Sequence, residues 1–390
     1  MGKIKDVAVQ VRGVSYKPND LHDTLNENSI MLLRANNISD DRINYDDVVF
    51  VDKTKVSKSQ YLQVGDILIC ASSGSKNLVG KSASIKGSIN ATFGAFCKVV
   101  RPSDINANYL SHFFTSPKYR ETISKLSAGA NINNIRNEDI DNLDIVIPPI
   151  ETQCKIAATL DKVTNLIDTC NAILEKLDLL VKSRFVEMFG DNKFPKVKTS
   201  DICDFITKGT TPPANDIYSE YSEGMIPYLK VYNLSFTGDL LFKQAPQYIS
   251  KATHEGILSR SKVFPNDVLM NIVGPPLGKF SVVTDEYPEW NINQAIAIFR
   301  AKERIIPNYL MSALMQPNVL RPFLEQAVGI RQLNLSLEQC RNLEIPLPPL
   351  DLQNQFATFV EQTDKSKLAV KKVLEKAETL KKALMQEYFG

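Results

Sequence analysis

The chain has 390 residues, a length that suits two or three domains. Its 43% hydrophobic and 23% charged residues are globular proportions, which excludes a disordered or fibrous protein. Lys+Arg 46 against Asp+Glu 44 leaves a formal charge of +2, so any basic surface must be a local patch. No run approaches the roughly 18 apolar residues of a membrane span, and the start MGKIKDVAVQV has no signal-peptide core. Six scattered cysteines without a C-x-x-C pair and three dispersed histidines predict reduced thiols, no metal site and a cytoplasmic location.

Short strands are predicted first, at 30–33, 48–51, 67–70 and 96–100, punctuated by Asn, Ser, Gly and Pro. A helix is predicted over 108–125, followed by the apolar strand LDIVIPP. A long helix then begins, because Pro148-Pro149 stops a sheet ladder and suits a first helical turn. Glu151 sits favourably against the helix dipole. Apolar side chains recur at Ile156, Leu160, Val163, Ile167, Cys170, Leu174, Leu177 and Val181. Those steps alternate four and three, the 3.5-residue period of a coiled-coil seam. Gly190 closes the helix after about 38 residues, or roughly 57 Å, longer than a small domain is wide.

The order then repeats. Strands are predicted at 228–231, 268–270 and 296–299, a helix over 308–326, and a second long helix behind Pro348-Pro349 and Asp351. Its seam holds Phe356, Val360, Val370, Leu374, Ala377 and Leu384, but also Thr363, Lys367 and Lys381. Sliding the chain by 200 positions puts Asn108-Tyr109-Leu110 on Asn308-Tyr309-Leu310 and Leu174-Glu175-Lys176 on Leu374-Glu375-Lys376. No gap is needed from Ile105 to Gly190. Upstream the match loosens: GDILICASSG (65–74) answers to NDVLMNIVG (266–274), and Gly80-Lys81 to Gly278-Lys279. A diverged module on a preserved scaffold predicts related surfaces that read different targets. The expected fold is α+β: two duplicated α+β domains (1–148 and 191–348) separated by a long antiparallel two-helix coiled coil (149–190 and 349–390), pseudo-twofold.

These residues resemble the specificity subunits of type I restriction-modification systems. The family's Pro-Pro-x-x-x-Gln helix entry stands here as Pro148-Pro149-Ile150-Glu151-Thr152-Gln153 and Pro348-Pro349-Leu350-Asp351-Leu352-Gln353. Its G-x-x-x-x-N loop stands as Gly129–Asn134 and Gly329–Asn334, and its Phe-Gly helix end as Phe189-Gly190 and Phe389-Gly390. The resemblance implies two target-recognition domains, each reading one half of a bipartite double-stranded DNA site. It further implies that the helices set the spacer and dock two methyltransferase subunits, with motor-nuclease subunits recruited. On this view the chain is not an enzyme and carries no cofactor; methylation and ATP hydrolysis belong to the partners.

A self-contained methyltransferase or restriction enzyme is the first rival, and a coiled-coil protein adaptor the second. No G-x-G-x-x-G, Asn/Asp-Pro-Pro-Tyr/Phe, H-E-x-x-H or G-x-S-x-G sequence supports an enzyme. The segment 75–82 nearly spells a phosphate loop, but Ser75 stands where the first glycine belongs. Base edges in the major groove are read by Arg or Lys on guanine and Asn or Gln on adenine. The candidates in the first head are Arg34, Asn36, Asn37, Ser73, Lys76, Asn77, Lys81, Asn131 and Asn133. In the second they are Lys230, Tyr232, Asn233, Asn271, Lys279, Arg331, Gln332 and Asn334.

Overall fold

The computed structural model describes residues 1–75, 77–127, 134–190, 193–274, 276–325 and 333–390. The chain divides into two units: residues 1–171 with 372–390, and residues 172–371. The first unit holds a four-stranded antiparallel sheet in the order Ala8–Arg12, Cys97–Pro102, Ile67–Cys70, Ser82–Ser84. The second unit repeats that order with Cys203–Lys208, Ile296–Ala301, Val268–Asn271 and Phe280–Val282.

A second sheet in each unit is built round a central strand, Ser29–Leu33 or Ile226–Leu229. Each pairs in parallel with the strand that precedes Cys97–Pro102 or Ile296–Ala301 in the chain, namely Ala91–Phe93 or Trp290–Ile292. On the other side each pairs antiparallel, with Val49–Asp52 or Tyr248–Ile249. The units differ in where a fourth strand is added. Leu21–His22 extends the antiparallel edge of the first sheet, whereas Lys262–Val263 extends the parallel edge of the second. Divergence therefore reaches the topology of the heads and is not confined to loop tips.

Two expectations need correction. The helix predicted over 108–125 is two helices, Ala107–Phe113 and Pro117–Ser127, and its repeat is Pro307–Leu314 and Pro317–Glu325. Proline has no N–H and clashes with the turn before it, so Pro117 and Pro317 start helices instead of continuing them. The buried Ser116 hydroxyl accepts the Tyr119 N–H at 3.2 Å and fixes the break. The predicted strands also leave out Ala8–Arg12 and Cys203–Lys208.

The long helices run Ile150–Phe189 and Leu350–Phe389, 40 residues each. The motif glutamines fasten their starts. Gln153, 2% exposed, accepts the Asn106 N–H at 2.8 Å and donates to the Pro148 carbonyl at 2.8 Å. Gln353, fully buried, does the same with the Ile306 N–H (2.9 Å) and the Pro348 carbonyl (2.9 Å). Both ends of the amide satisfy backbone groups that would otherwise be buried unpaired. The Phe-Gly ends are packing anchors: Phe389 lies 5.0 Å from the Tyr109 ring in the first unit, and Phe189 lies 4.9 Å from the Tyr309 ring in the second.

The helices are antiparallel. Within the second unit Lys367 pairs with Asp178 at 2.6 Å, while Phe356 packs on Phe185 at 5.5 Å. Within the first unit, Ala157 and Leu160 share a core with Met385 and Phe389. Leu160, Val163, Cys170, Phe356, Val360 and Ala377 are buried, and Ile156, Ile167, Leu174, Leu177, Val370 and Leu384 are partly buried, so the seam follows the predicted period. The polar seam positions have a physical answer. Thr363 and Lys367 are each 6% exposed, and Lys367 spends its charge on Asp178 and Asp364.

Candidate nucleic-acid interface

In each unit the central strand of the second sheet runs into a tight turn held by a buried asparagine. Asn37 accepts the Arg34 N–H at 2.8 Å and donates to the carbonyls of Asn44 (2.9 Å) and Asp47 (3.0 Å). Asn233 accepts the Lys230 N–H at 2.9 Å, and its amide nitrogen meets the Ala245 carbonyl. With exposures of 1% and 0%, both side chains are committed to the turn and not to a ligand. Their neighbours face outward: Asn36 and Tyr232 are exposed, and Arg34 and Lys230 are half-buried. Arg34 pairs with Asp47 at 3.1 Å.

Asn271 is the third asparagine engaged internally. It is 1% exposed, donates to the Pro276 carbonyl (3.0 Å) and accepts the Lys279 N–H (2.7 Å), closing the loop between two strands. Lys279 lies 5.7 Å from the Phe236 ring, a cation–π contact on a half-exposed aromatic. Ser73 accepts the Ser75 N–H, and Asn77 is exposed. Asn134 and Asn334 bridge to Ser72 and Val273, which ties each G-x-x-x-x-N loop's end to the same place in its unit. Lys76, Asn131, Asn133, Arg331 and Gln332 lie outside the described residues.

The near-phosphate-loop is wired the wrong way for an anion. The N–H groups of Leu78, Gly80 and Lys81 go to the carbonyls of Ser75, Cys70 and Leu78. Arg120 takes the carbonyls of Val79 (3.1 Å) and Asn77 (3.3 Å). A phosphate cradle needs free N–H groups converging on one point, and these three are spent.

Strand register brings together cations that sequence spacing could not. Arg12 lies opposite Lys98, the two being neighbours only because Ala8–Arg12 pairs with Cys97–Pro102. With Asn134 and Arg136 they line a cleft of about 600 Å³. Through Cys97 it adjoins a recess of about 150 Å³ lined by Tyr16, Arg34, Asn36, Ser72 and Phe96. Phe96 is 67% exposed, which leaves a ring face at the recess open to a ligand. Burial pulls the Lys98 ammonium pKa down against the raising charges of Asp139 and Asp141, and Lys98 donates to Asn137 at 2.6 Å. Four cations, amides, a hydroxyl and two aromatic faces can meet phosphates and base edges. The larger cavity, about 670 Å³, lies elsewhere, between the long helices and the second unit's own helix Pro307–Leu314; it is lined by Phe185, Met311 and Met315 among others.

The second unit keeps the frame and changes the side chains. Lys208 stands opposite Ala297 where the first unit has Arg12 opposite Lys98. The glycine after each of those strands is required: a Cβ on Gly13 would lie 2.1 Å from the Gly94 carbonyl, and one on Gly209 2.1 Å from the Asn293 carbonyl. Among the described residues one cluster of possible metal ligands stands out, His254, Glu255 and Glu289, and it is already satisfied. Asn291 donates to His254 Nδ1 at 3.1 Å, so Nε2 carries the proton given to Glu289. The Lys262 ammonium sits 2.7 Å from Glu255, where a cation would go.

The type I restriction modification DNA specificity domain model matches residues 2–179 and again 192–381. The specificity subunits of the type I restriction enzymes StySPI from Salmonella potsdam and EcoKI from Escherichia coli (strain K12) are each 41% identical over 180 residues. That stretch is 46% of this chain and 39% of each relative, so the chain spans about two fifths of their length. A putative type I restriction enzyme MjaX specificity subunit from Methanocaldococcus jannaschii is 22% identical across 98% of this chain and 91% of its own. The crystal structure of a type I restriction-modification system S subunit from M. genitalium superposes with a TM-score of 0.60 at 13% identity, covering 100% of this chain and 95% of that one. It shares the fold. Because the domain model matches both repeats over most of the chain, the chain belongs to the type I restriction modification DNA specificity domain family, whose domain it carries twice.

Proposed function

We propose that the chain is the sequence-specific DNA-binding specificity subunit of a type I restriction-modification complex. Each head reads one half of a bipartite double-stranded site, and the long helices set the spacer and dock two methyltransferase subunits. Motor-nuclease subunits join the same assembly, in the cytoplasm. Methyl transfer and DNA cleavage reside in those partners, and the chain itself is not catalytic.

The observation that carries this is the repeated frame with changed side chains. The same strand order and the same asparagine-held turn present Arg12, Arg34, Asn36 and Lys98 in one head. In the other they present Lys208, Lys230, Tyr232 and Ala297. Docking is supported by apolar side chains left outside the seam. Leu166, Ile173 and Leu180 recur every seven residues on the first helix and are 44%, 39% and 48% exposed, and Val373 and Leu380 repeat the last two. Exposed apolar residues in heptad register suit a partner helix.

Exchanging residues 1–148 for a foreign head tests the proposal. Mapping methylated sites should show one half-site replaced and the other intact. Loss of both together would defeat independent reading, and methyl transfer by the purified chain with labelled S-adenosylmethionine would favour a self-contained enzyme. Binding without sequence preference at any salt would favour the adaptor.

A further inference from the structure

We propose that Asp47 is a specificity-determining positioning residue, whose carboxylate holds Arg34 and Asn36 as one rigid pair for reading purine edges in the first head's half-site. This rests on the DNA-reading function proposed above. One carboxylate oxygen of Asp47 takes both side chains, from Arg34 Nη2 at 3.1 Å and from Asn36 Nδ2 at 2.5 Å. The main chain of Asp47 is itself fixed, because its carbonyl accepts from the buried Asn37 amide at 3.0 Å. Arg34 and Asn36 line the recess beside Tyr16, Ser72 and Phe96, and Asp47 does not. Asp47 therefore acts from beside the recess, on side chains that line it, without lining it itself.

Stability alone does not explain the arrangement. The Asp47 side chain is 72% exposed, and ion pairs in such a setting contribute little to folding. Meanwhile Arg34 Nε is buried with no partner among the described residues, a cost that a freely moving arginine would escape by rotating into water. What the contact does supply is direction. With one N–H of Asn36 on Asp47, the amide cannot flip, and its oxygen and second N–H are left as an acceptor–donor pair. That pair is what an adenine edge requires, and the planar guanidinium fork matches a guanine edge. The second head is a built-in comparison. Ala245 supplies the carbonyl that Asp47 supplies in the first and brings no carboxylate to the turn, and the Lys230 ammonium beside it is a point charge with no plane to orient.

The test uses the chain assembled with its methyltransferase subunits and duplex DNA with both half-sites randomised. Asp47→Ala should weaken preference about ten-fold at one or two adjacent base pairs of one half-site, the scale of a single bidentate contact. The other half-site and the melting temperature should hold, and Asp47→Asn, which retains an acceptor, should recover part of the loss. Unchanged preference in Asp47→Ala, while Arg34→Ala alters it, would overturn the proposal. An equal loss of affinity on all sequences would overturn it too, marking a structural role. If Arg34→Ala and Asn36→Ala also left preference intact, the recess would not be the reading surface. A parent complex without any sequence preference would defeat the proposed function itself.

Discussion

Arg101 grips Asp66 with two nitrogens, Nε and Nη2, each 2.8 Å from a carboxylate oxygen, and the second unit repeats the grip with Arg300 on Asp267 at 2.8 and 2.7 Å. The acids are 1% and 2% exposed, and each also accepts a backbone N–H three residues earlier, from Gln63 and Phe264. A bidentate pair of this kind ties Cys97–Pro102 or Ile296–Ala301 to the turn before its neighbour in the sheet. Arg101→Met should leave the Asp66 charge buried and unpaired, at a cost of about 3–5 kcal/mol. Hydrogen exchange reports it: amides in Ile67–Cys70 and Cys97–Pro102 should exchange at least a hundred-fold faster, with the second unit unaffected. Equal acceleration in both units would show that the pair is not local in effect.

The parts of the fold that were legible in the sequence are those written in local patterns. A heptad seam, a Pro-Pro entry and a glycine exit each need only neighbours along one helix, and they were read to within two residues of Ile150–Phe189. The repeat supplied the rest of the architecture. What could not be read depends on contacts distant in the chain. Arg12 becomes the neighbour of Lys98 through strand register alone, although the alternation of Val7, Val9 and Val11 was a signal for that strand. Nor does a turn asparagine announce its burial. Asn36 and Asn37 are adjacent and chemically identical, yet one is exposed and the other spends its whole amide on the backbone.

The buried lysine of the second helix should be replaceable, but its partner should not. Burial pulls the Lys367 pKa down, and the hydrogen bond it donates to Asp178, with the charges of Asp364 and Asp239, more than offsets this, so the ammonium is held charged. Lys367→Met keeps the stem volume on an apolar seam, and the carboxylates it leaves, Asp178 and Asp364, are 25% and 55% exposed and can turn to water, unlike the buried Asp66, so stability should change by no more than about 1 kcal/mol. Asp178→Ala strands the ammonium and should cost close to 3 kcal/mol, the low end for a broken buried pair, since Asp364 remains 3.4 Å away. Urea melts of the three proteins separate the cases. A Lys367→Met variant as damaged as Asp178→Ala would show that the ion pair itself stabilises the helices.

The second unit should weaken in mild acid through His254. Burial lowers its pKa below the ordinary 6.5, against the raising effect of the Glu289 hydrogen bond. As the pH falls below about 6.5 the unfolded chain takes up a proton that the folded chain refuses, so the unfolded state gains protons first and stability declines. The decline levels off once the pH passes the lowered folded value. His254→Gln should be less stable at neutral pH, having lost the imidazole's two contacts, yet its stability should fall less steeply between pH 7 and pH 5. A variant with the parent's slope would mean that other groups set the acid response of this unit.

The two glycines that follow the paired strands should divide the function of the heads between them. A methyl group on Gly13 would lie 2.1 Å from the Gly94 carbonyl oxygen and 2.9 Å from the Ala95 nitrogen, both backbone atoms. No rotamer change relieves a backbone clash, so the chain must part at the point where Val14 donates to the Phe93 carbonyl at 2.8 Å. That junction carries Arg12 on one side and Phe96 and Lys98 on the other, which line the cleft and the recess that adjoins it. Gly13→Ala should therefore abolish recognition of one half-site while the second head still binds its own. Gly209→Ala, with a methyl 2.1 Å from the Asn293 carbonyl, should do the reverse. Each variant is assembled with methyltransferase subunits and offered DNA bearing one half-site joined to random sequence. Residual selection should then follow the unaltered head. Both variants losing both half-sites would mean that neither head reads DNA without the other, and retention of both by Gly13→Ala would place the reading surface away from this cleft.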